Sequence, residues 1–425
     1  MRRVLALCLT CCACGAGAPR HVALLYRADD TTAQLEERLL GPYRARHPGL
    51  RVEQRNVTGS RIDYRLILAA ALALEPPPEA FLVEDGDVPL VAGPGGEGAL
   101  DLAPYLPRVG VDLTRYDATV LGIFRRGEAV YALPRGYTPL LVVYNRDLFD
   151  RFGIGYPADD WTWDDFLRIA RQLTRYDDRY HRIDAWGAAF DPRAAFWLPW
   201  IWSGGGDVLC SDGRRASGCL DAPATIAALR WYAGWVTREG VAPRAYDPRD
   251  EDGDNARSFV AGRVAMMTVS HAAVRDLRAA ATARRLRLGF VPIPHRVGVA
   301  PVTVLYATAY AVPGRILGRK GAVELVADLT DSLPEAARGD AGIELPAVTS
   351  AARALAAADT LGWEAAFLRA AAHGRPAWRV RVAQWREVEA ALSALMVRIT
   401  LGGAEPGRAA RATARELDRL LGATR

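Results

Sequence analysis

The chain has 425 residues, of which 50% are apolar and 24% are charged, and its formal net charge is +5. At about 150 residues per domain, this length predicts two or three domains and excludes a single core. The composition is ordinary for a soluble globular protein, and the small, dispersed positive excess argues against a nucleic acid partner. No run of 18 apolar residues follows the N-terminus, so the sequence predicts no membrane-spanning helix in the mature protein.

The N-terminus has the features of an export signal. Arginines at positions 2 and 3 form a positive n-region, and residues 4–10 form a short apolar h-region that small residues follow. Small residues before a cysteine are typical of a bacterial lipoprotein cleavage site. Cys14 lies between an alanine and a glycine, whereas Cys12 has a leucine at its minus-three position. We therefore expect a lipid anchor on Cys14 or Cys12, which holds the protein at a membrane without a spanning helix. A plain secretory signal is the alternative.

Strands and helices alternate in the first part of the chain. Three strands are predicted at 21–26, 51–57 and 80–83, with helical spacing of apolar residues at 35–43 and 62–74 between them. This alternation is typical of a parallel α/β sheet, whose ligand crevice lies at the carboxyl ends of the strands. The polar residues at those ends are therefore the first site candidates: Arg27, Asp29, Glu84 and Asp85.

The stretch 131–174 combines a polar turn with a well-defined helix start. A Leu-Pro turn leads into a polar and aromatic loop at 135–139, which contains Tyr137, and a buried-type strand follows. Further on, Thr162 can N-cap a helix, and Asp165 stands in the capping-box position three residues later. The pattern predicts strand, helix, loop and helix, with the polar turn directed into a cleft.

Tryptophans divide into candidates for a ligand site and residues of a core. Trp197, Trp200 and Trp202 are spaced so that they cannot all point the same way, and at least one must belong to a core. The others are candidates for stacking on a ligand. The periodicity of their neighbours assigns three further tryptophans to packing: Trp161, Trp163 and Trp385.

Two cysteines beyond the signal lie close together in sequence. Cys210 and Cys219 flank a segment in which Asp212 and Gly213 indicate a hairpin turn. Two strands leaving that turn would place the sulfurs opposite each other, and an exported protein can form the disulfide. Two free thiols are the alternative. A metal site is disfavoured, because no histidine or third cysteine lies nearby and the six histidines are scattered.

The later elements continue the α/β pattern. The acidic loop from Asp247 superficially resembles a calcium loop, but its carboxylates and glycine are out of register with an EF-hand. We interpret it as a solvated loop that leads into a helix. The remaining elements, in order, are a helix at 223–238, a buried strand after Phe259, a strand from Gly289, a strand at 306–312, a helix at 387–399 and a last helix from Pro406.

Segments along nearly the whole chain are similar, in the same order, to the landmarks of one family. After the export signal come YALP with its loop, YNRDLFDRFGI, WTWDDF, WIWSGGGD, FVAGRVAMM, GFVPIP and AQWREVEAALSALMVRITLGG. Singly these segments are weak evidence, but seven in the right order are strong. The sequence resembles the solute-binding proteins of ABC importers, the family that includes maltose- and other sugar-binding proteins.

The resemblance implies a two-lobed periplasmic-binding-protein type II fold, an α/β fold with a hinge between its lobes. Residues 1–14 would be the signal peptide. The first lobe would comprise 20–134 plus 300–345, and the second 135–299 plus 346–425. The hinge crossings would lie near 135–139, 291–294 and Leu345. In this class of protein the lobes close around a ligand by hinge motion.

The same resemblance adds ligand contacts to those expected at strand ends. It places Tyr137 on the first hinge loop, in contact with the ligand. Ser270 and Tyr306 occupy positions that face the cleft by analogy, but family members often have glycine there. These departures imply a ligand that differs from those of well-known sugar binders.

The function implied is capture of a sugar or oligosaccharide and its delivery to the permease subunits of an ABC importer, by a monomer that needs no cofactor. A glycerol phosphate or another polyol derivative remains open because of the arginines. Two other functions remain: a sensor lipoprotein that presents its ligand to a signalling receptor, and a glycosidase-like enzyme. A glycosidase would need two carboxylates about 5–10 Å apart, which Asp29, Glu84 and Asp85 could supply. The sequence contains no GxSxG, P-loop or metal-site motif that supports other chemistry.

The export signal generates a first prediction. The membrane fraction of the native host should contain the protein with a diacylated N-terminal cysteine, at Cys14 or at Cys12, because cleavage exposes that residue for lipidation. Mass spectrometry of the purified N-terminal peptide measures this. An unprocessed N-terminus in the cytoplasm would contradict export, and a processed but unmodified one would favour the plain secretory signal.

Overall fold

The computed structural model describes residues 20–59, 61–92, 98–177, 182–244, 255–316 and 319–422. The predicted signal peptide and residues 247–254 of the acidic loop lie outside this part of the chain. The strands are β1 Arg20–Arg27, β2 Leu50–Val57, β3 Ala80–Glu84, β4 Arg125–Arg126, β5 Ala129–Val130, β6 Leu133–Asn145, β7 Arg175–Asp177, β8 Arg182–Ala185, β9 Met266–Ser270, β10 Leu288–Val291, β11 Thr303–Ala311 and β12 Gly374–Pro376.

Helices surround these strands and follow most of the predicted periodicities. They are α1 Asp30–Leu39, α2 Gly41–Arg46, α3 Arg61–Leu72, α4 Val88–Val91, α5 Ala118–Ile123, α6 Arg146–Arg151, α7 Trp163–Leu173, α8 Ala194–Ser203, α9 Pro223–Thr237, α10 Asn255–Val260, α11 Val274–Arg284, α12 Arg319–Leu329, α13 Ser332–Asp340, α14 Thr349–Ala358, α15 Trp363–Ala371, α16 Trp385–Thr400 and α17 Pro406–Leu420. The predicted capping box is present at the start of α7, where Thr162 and Asp165 exchange hydrogen bonds.

The main sheet has the strand order β10-β6-β11-β3-β1-β2, with β9 also on β6 and β12 on β11. Strand β1 runs parallel to both β2 and β3, as the alternating pattern predicted. Strand β11 returns from a distant part of the chain and pairs antiparallel with β3 and β6. The carboxyl ends of β1 and β3 therefore lie at one edge of the sheet.

One long strand connects the two lobes of this α/β fold. The first half of β6, up to Pro139, pairs with β11, whereas the second half, from Leu140, pairs with β9 and β10. We call the part built on β1, β2 and β3 the first lobe, and the part built on β9, β10 and the second half of β6 the second lobe. The prediction of a polar loop at 135–139 is therefore wrong, because this segment belongs to strand β6.

Long-range backbone pairing explains why the loop signals failed. The proline and glycine residues at 134, 136 and 139 are local indicators of a turn. However, Tyr137 N donates to Leu345 O at 2.9 Å, and Leu345 N donates back to Tyr137 O at 2.9 Å. Together with the register on β11, these bonds satisfy the backbone in an extended conformation.

An aromatic core fills the second lobe on one face of its sheet. The Trp163 ring stacks on Trp231 at 4.0 Å between centroids, and its Nε1 donates to Ser203 Oγ at 3.1 Å. Gly204 allows this close approach, because a Cβ there would lie 2.2 Å from the Trp163 ring. Trp161 and Trp385 are also buried, in agreement with the packing role predicted for them.

The structure joins Cys210 and Cys219 in a disulfide with a Cα–Cα distance of 5.4 Å. The predicted hairpin strands are absent from residues 208–220, which form turns and loop in this described region. Gly213 adopts a φ of +69°, a left-handed conformation that favours glycine, and its N–H donates to Cys210 O at 2.8 Å. The sulfurs therefore close a compact loop rather than a pair of strands.

A fully buried carboxylate links the elements α1, α13, β6 and β11. Glu36 on α1 accepts hydrogen bonds from Arg338 Nε and Nη2, both at 2.8 Å, and from Arg135 Nη2 at 3.0 Å. Tyr310 on β11 adds a fourth bond at 3.1 Å. Burial alone would raise the pKa of Glu36, but the two guanidinium groups lower it to about 2. We call these four residues the Glu36 cluster.

The packing of Trp163 generates a prediction about stability. Trp163→Ala should lower the free energy of unfolding by about 3–5 kcal/mol, because it removes a buried ring and leaves a cavity. Chemical denaturation followed by circular dichroism measures the change. The control is Leu333→Ala, which truncates a side chain that is 81% exposed and should change stability by less than about 0.5 kcal/mol. Equal effects of the two substitutions would contradict the assigned packing.

The Glu36 cluster generates a prediction about acid stability. The folded pKa of about 2 lies below the unfolded value of 4.5, so the carboxylate stabilises the fold above about pH 4.5. That contribution, on the order of 3 kcal/mol, should be lost as the pH falls from about 4.5 towards 2. Glu36→Gln should lower the unfolding free energy at pH 7 by about 3–5 kcal/mol. Urea titrations of both proteins at several pH values should show the difference shrinking in acid. A difference independent of pH would contradict this account.

Candidate functional site

A cavity of about 260 Å³ opens at the carboxyl ends of β1 and β3. Its walls come from both lobes. The first lobe contributes these strand ends and the loop 342–344, and the second lobe contributes Ala272 and Arg275 around the start of α11. The antiparallel strands β6 and β11 contribute further residues to the wall. The cavity therefore lies in a cleft between the lobes, at the position that the strand-end argument predicted.

Two of the predicted strand-end residues form an ion pair inside this cavity. Arg27 Nη2 lies 2.7 Å from Glu84 Oε1, and both side chains line the wall. The Glu84 side chain is 3% exposed, whereas that of Arg27 is 32% exposed. The buried carboxylate therefore holds the partly exposed guanidinium of Arg27 in a fixed position at the wall.

Asp29 connects the two lobes across the cleft. Its Oδ1 accepts a hydrogen bond from Thr32 N at 2.7 Å and so caps α1, and its Oδ2 lies 3.0 Å from Arg275 Nη2 on α11. Partial burial raises the pKa of Asp29, but the bonds from Thr32 and Arg275 outweigh it and lower the pKa below the ordinary value. Both side chains remain accessible, with 51% and 40% exposed.

Asp85 lies beneath the cavity rather than at its wall. The side chain is fully buried and forms an ion pair with Arg379, which reaches the cavity from the turn Trp378–Val380. The Arg379 guanidinium also lies 4.2 Å above the centroid of the Tyr306 ring. Asp85 is thus placed to orient Arg379 instead of contacting a ligand itself.

Tyr306 lines the cavity, as predicted by analogy. It lies on β11 opposite Thr138 of β6, and its hydroxyl donates to Ala195 O at 2.7 Å at the start of α8. Ser270 is predicted from the same analogy but does not line the cavity; it is the last residue of β9, and the chain reaches the wall two residues later at Ala272.

The other predicted aromatic contacts do not reach this cavity. Tyr137 is 4% exposed within β6, and burial raises the pKa of its hydroxyl far above the ordinary value. Trp197 and Trp200 are 0% and 1% exposed, because α8 is apolar on all sides and buried in the second lobe. Tyr137, Trp197 and Trp200, which were predicted as ligand contacts, are therefore core residues. Removing any of them would disturb packing before it disturbed a ligand.

Trp202 borders a second, more open cavity of about 600 Å³ in the second lobe. The guanidinium of Arg375 covers its ring at 4.2 Å, and Asp207 accepts hydrogen bonds from both Trp202 Nε1 and Arg375. Cys219 of the disulfide loop also lines this space. This cavity lacks the strand ends that meet at the first one, so Trp202 is separated from the other site candidates.

Sequence reasoning missed several polar residues of the interlobe cavity. They come from elements far apart in the chain and carry no common motif: Arg135, Thr138, Arg275, Thr308, Glu344 and Arg379. The only available signal was the polar loop at 135–139, which drew attention to Tyr137 instead of Arg135.

In the part of the chain that the structure describes, no group of three or more His, Cys, Asp or Glu side chains is arranged to hold a metal ion. Of the helices described, none is both long and apolar enough to cross a membrane.

Solved structures of binding proteins share this architecture. An ABC substrate-binding protein from Listeria monocytogenes, in complex with cycloalternan, superposes with a TM-score of 0.80 at 18% identity, covering 95% of this chain and 99% of that one. UgpB from Mycobacterium tuberculosis, in complex with glycerophosphocholine, gives 0.77 at 22% identity, covering 94% and 98%. Maltose-bound MalE3 of T. maritima gives 0.75 at 18% identity, covering 94% and 99%. At these identities, the similarity shows that the two-lobed fold is shared.

A family model provides the assignment that the fold alone does not. The model described as bacterial extracellular solute-binding protein matches residues 28–325, which is more than half of the chain. The match includes the end of β3, the crossing strand β6, the start of α11 and the strand β11, which contribute much of the wall of the interlobe cavity. The chain therefore belongs to the family of bacterial extracellular solute-binding proteins.

Proposed function

We propose that this protein binds a carbohydrate-like solute reversibly between its lobes and delivers it to the permease subunits of an ABC importer. The observation that carries the proposal is the interlobe cavity, whose wall joins Asp29 of the first lobe to Arg275 of the second. A solute held there contacts both lobes and so favours the closed arrangement over an open one. Such a change of shape is what a permease can recognise.

The chemistry of the wall suits a hydroxylated ligand. A sugar loses hydrogen bonds to water when it enters a cleft, and the site must replace them. Exposed carboxylate and guanidinium groups at the wall, such as Asp29 and Arg27, offer strong acceptors and donors. Structures that share the fold carry cycloalternan and maltose, which are oligosaccharides, and these ligands support the same class for this chain.

We further propose an extracytoplasmic location with a lipid anchor at Cys14 or Cys12. The family is extracellular, and the sequence begins with export features followed by these cysteines. The anchored protein would act as a monomer, with residues 20–134 plus 300–345 and residues 135–299 plus 346–425 closing as its two lobes. A sensor that passes its ligand to a signalling receptor would use the same cleft, and a pull-down of membrane partners separates the two roles.

The proposal predicts that the protein binds its ligand without converting it, and this can be measured. In a thermal-shift screen of sugars and polyols, a cognate ligand at 100 times its dissociation constant should add about 2.7 kcal/mol of stability. Calorimetry should give a dissociation constant of order micromolar, about −8 kcal/mol, since an importer receptor must release its ligand. Product formation during titration would instead indicate an enzyme.

A pair of arginine variants tests the site. Arg275→Ala should weaken binding about tenfold, because it removes a cavity-wall group that bridges the lobes. Arg287→Ala is the matched control: this arginine pairs with Asp147 and Asp150 on the surface and does not line the cavity, so binding should be unchanged. Equal affinities of the two variants would contradict the assigned site.

A further inference from the structure

The first turn of α11 lies directly against the loop that follows α13. Gly342, in that loop, adopts a φ of +67°, and a Cβ built on it would lie 2.9 Å from the backbone nitrogen of Arg275. A helix backbone cannot move aside as the end of a flexible side chain can, because its neighbours on both sides are closely packed. The two segments therefore meet at a distance that glycine permits and a larger residue does not.

This contact joins the two lobes. Helix α13 is held to α1 of the first lobe by the Glu36 cluster, whereas α11 follows β9 of the second lobe. Two further contacts cross between the lobes at the same helix. Arg275 Nη2 lies 3.0 Å from Asp29 Oδ2, and Arg278 Nη1 lies 3.5 Å from the backbone oxygen of Asp340 at the end of α13. The start of α11 is thus the part of the second lobe that faces the first lobe here.

A buried ion pair fixes α11 within the second lobe. His271 Nε2, just before α11, lies 2.6 Å from Glu364 Oε2 on α15, and the two side chains are 0% and 1% exposed. Arg278 Nη2 donates to the other oxygen of Glu364 at 3.1 Å. Helix α15 in turn packs on β10, where the rings of Phe367 and Phe290 are 5.5 Å apart. A shift of α11 away from the first lobe would therefore carry the second lobe with it.

A second glycine has the same local conformation but no neighbour. The N–H groups of Gly342 and of the next residue donate to carbonyls three and five residues earlier, at 2.8 and 3.0 Å, and so end α13. Gly153 ends α6 with the same φ of +67° and the same bonding pattern, at 3.1 and 2.9 Å. A Cβ on Gly153 would have no atom within 4 Å. Helix termination therefore explains glycine at both positions, but only Gly342 also admits another element.

We propose that Gly342 determines how far the lobes close, by letting the first turn of α11 reach the loop after α13. This contact sets the position of Arg275 in the cavity, opposite Ile343 and Glu344 of the same loop. A side chain at position 342 holds the lobes apart and lengthens the contact between Arg275 and Asp29. The effect on binding rests on the proposed function, whereas the contact between the lobes does not depend on it.

Gly342→Ala and Gly153→Ala form a matched pair of variants. Both place a Cβ in the same left-handed conformation, and thermal unfolding verifies that both are folded. Amide hydrogen exchange of the full-length protein, read by mass spectrometry, follows residues 272–277 without solute and with saturating glucose, maltose or glycerophosphocholine. These amides should exchange about tenfold faster in Gly342→Ala than in Gly153→Ala, because the displaced helix start loses its cover. Equal exchange of the two variants in every condition would overturn the proposal.

Affinity gives a second readout. For whichever of these solutes binds the wild-type protein tightest, calorimetry should show binding about tenfold weaker in Gly342→Ala than in Gly153→Ala, since the closed state is less populated. Weaker binding without faster exchange would mean that the added methyl group blocks the solute directly, and the closure role would be wrong. If none of the solutes binds, the proposed ligand class fails, and the exchange of the unliganded variants still decides the role of Gly342.

A variant outside the cavity separates closure from a direct block. Arg278 does not line the cavity, so Arg278→Ala adds no atom to it and removes the bonds to Glu364 and Asp340. It should speed exchange of residues 272–277 and weaken binding in the same direction as Gly342→Ala, and it replaces that variant if the latter does not fold. Arg284→Ala, an exposed position near the end of the same helix, is the control and should change neither. Wild-type exchange and affinity in Arg278→Ala would contradict the proposed role of α11.

Discussion

The buried contact between Glu36 and two arginines is the constraint on which the cleft depends. It fixes α1 against α13 through Arg338 and against β6 through Arg135. Arg135 uses its Nη2 for Glu36, whereas its Nη1 lies near Thr308 and Glu344 at the cavity. The same cluster therefore stabilises the first lobe and sets the position of a ligand-facing group.

Strand β6, which contains Arg135, continues into the second lobe. Its first half is bonded to β11 and, through Tyr137, to Leu345, whereas its second half is bonded to β9 and β10. A continuous strand limits how the lobes can move, because bending must occur without breaking either set of backbone bonds. Burial of Tyr137 is part of this limit, since its ring anchors the crossing strand in the core.

Local signals were sufficient for elements that local interactions determine. The parallel strands, the Thr162 capping box and the family were all predicted, and the strand-end rule placed Arg27, Asp29 and Glu84 at the cavity. The remaining contacts depend on pairing between distant segments. Proline and glycine around Tyr137 indicated a loop, but partners more than 150 residues away impose a strand. Arg379 likewise reaches Asp85 from near the other end of the chain, and no pattern in its own neighbourhood predicts that contact.

The ion pairs of the cleft differ in burial, and this difference separates fixed contacts from exchangeable ones. Pairs within the walls, such as Glu36 with Arg338, are buried and costly to separate, so they keep donors and acceptors in place. One pair that crosses between the lobes, Asp29 with Arg275, is about half exposed, and such pairs contribute on the order of 0–1 kcal/mol. The lobes can therefore exchange this contact for water at little cost.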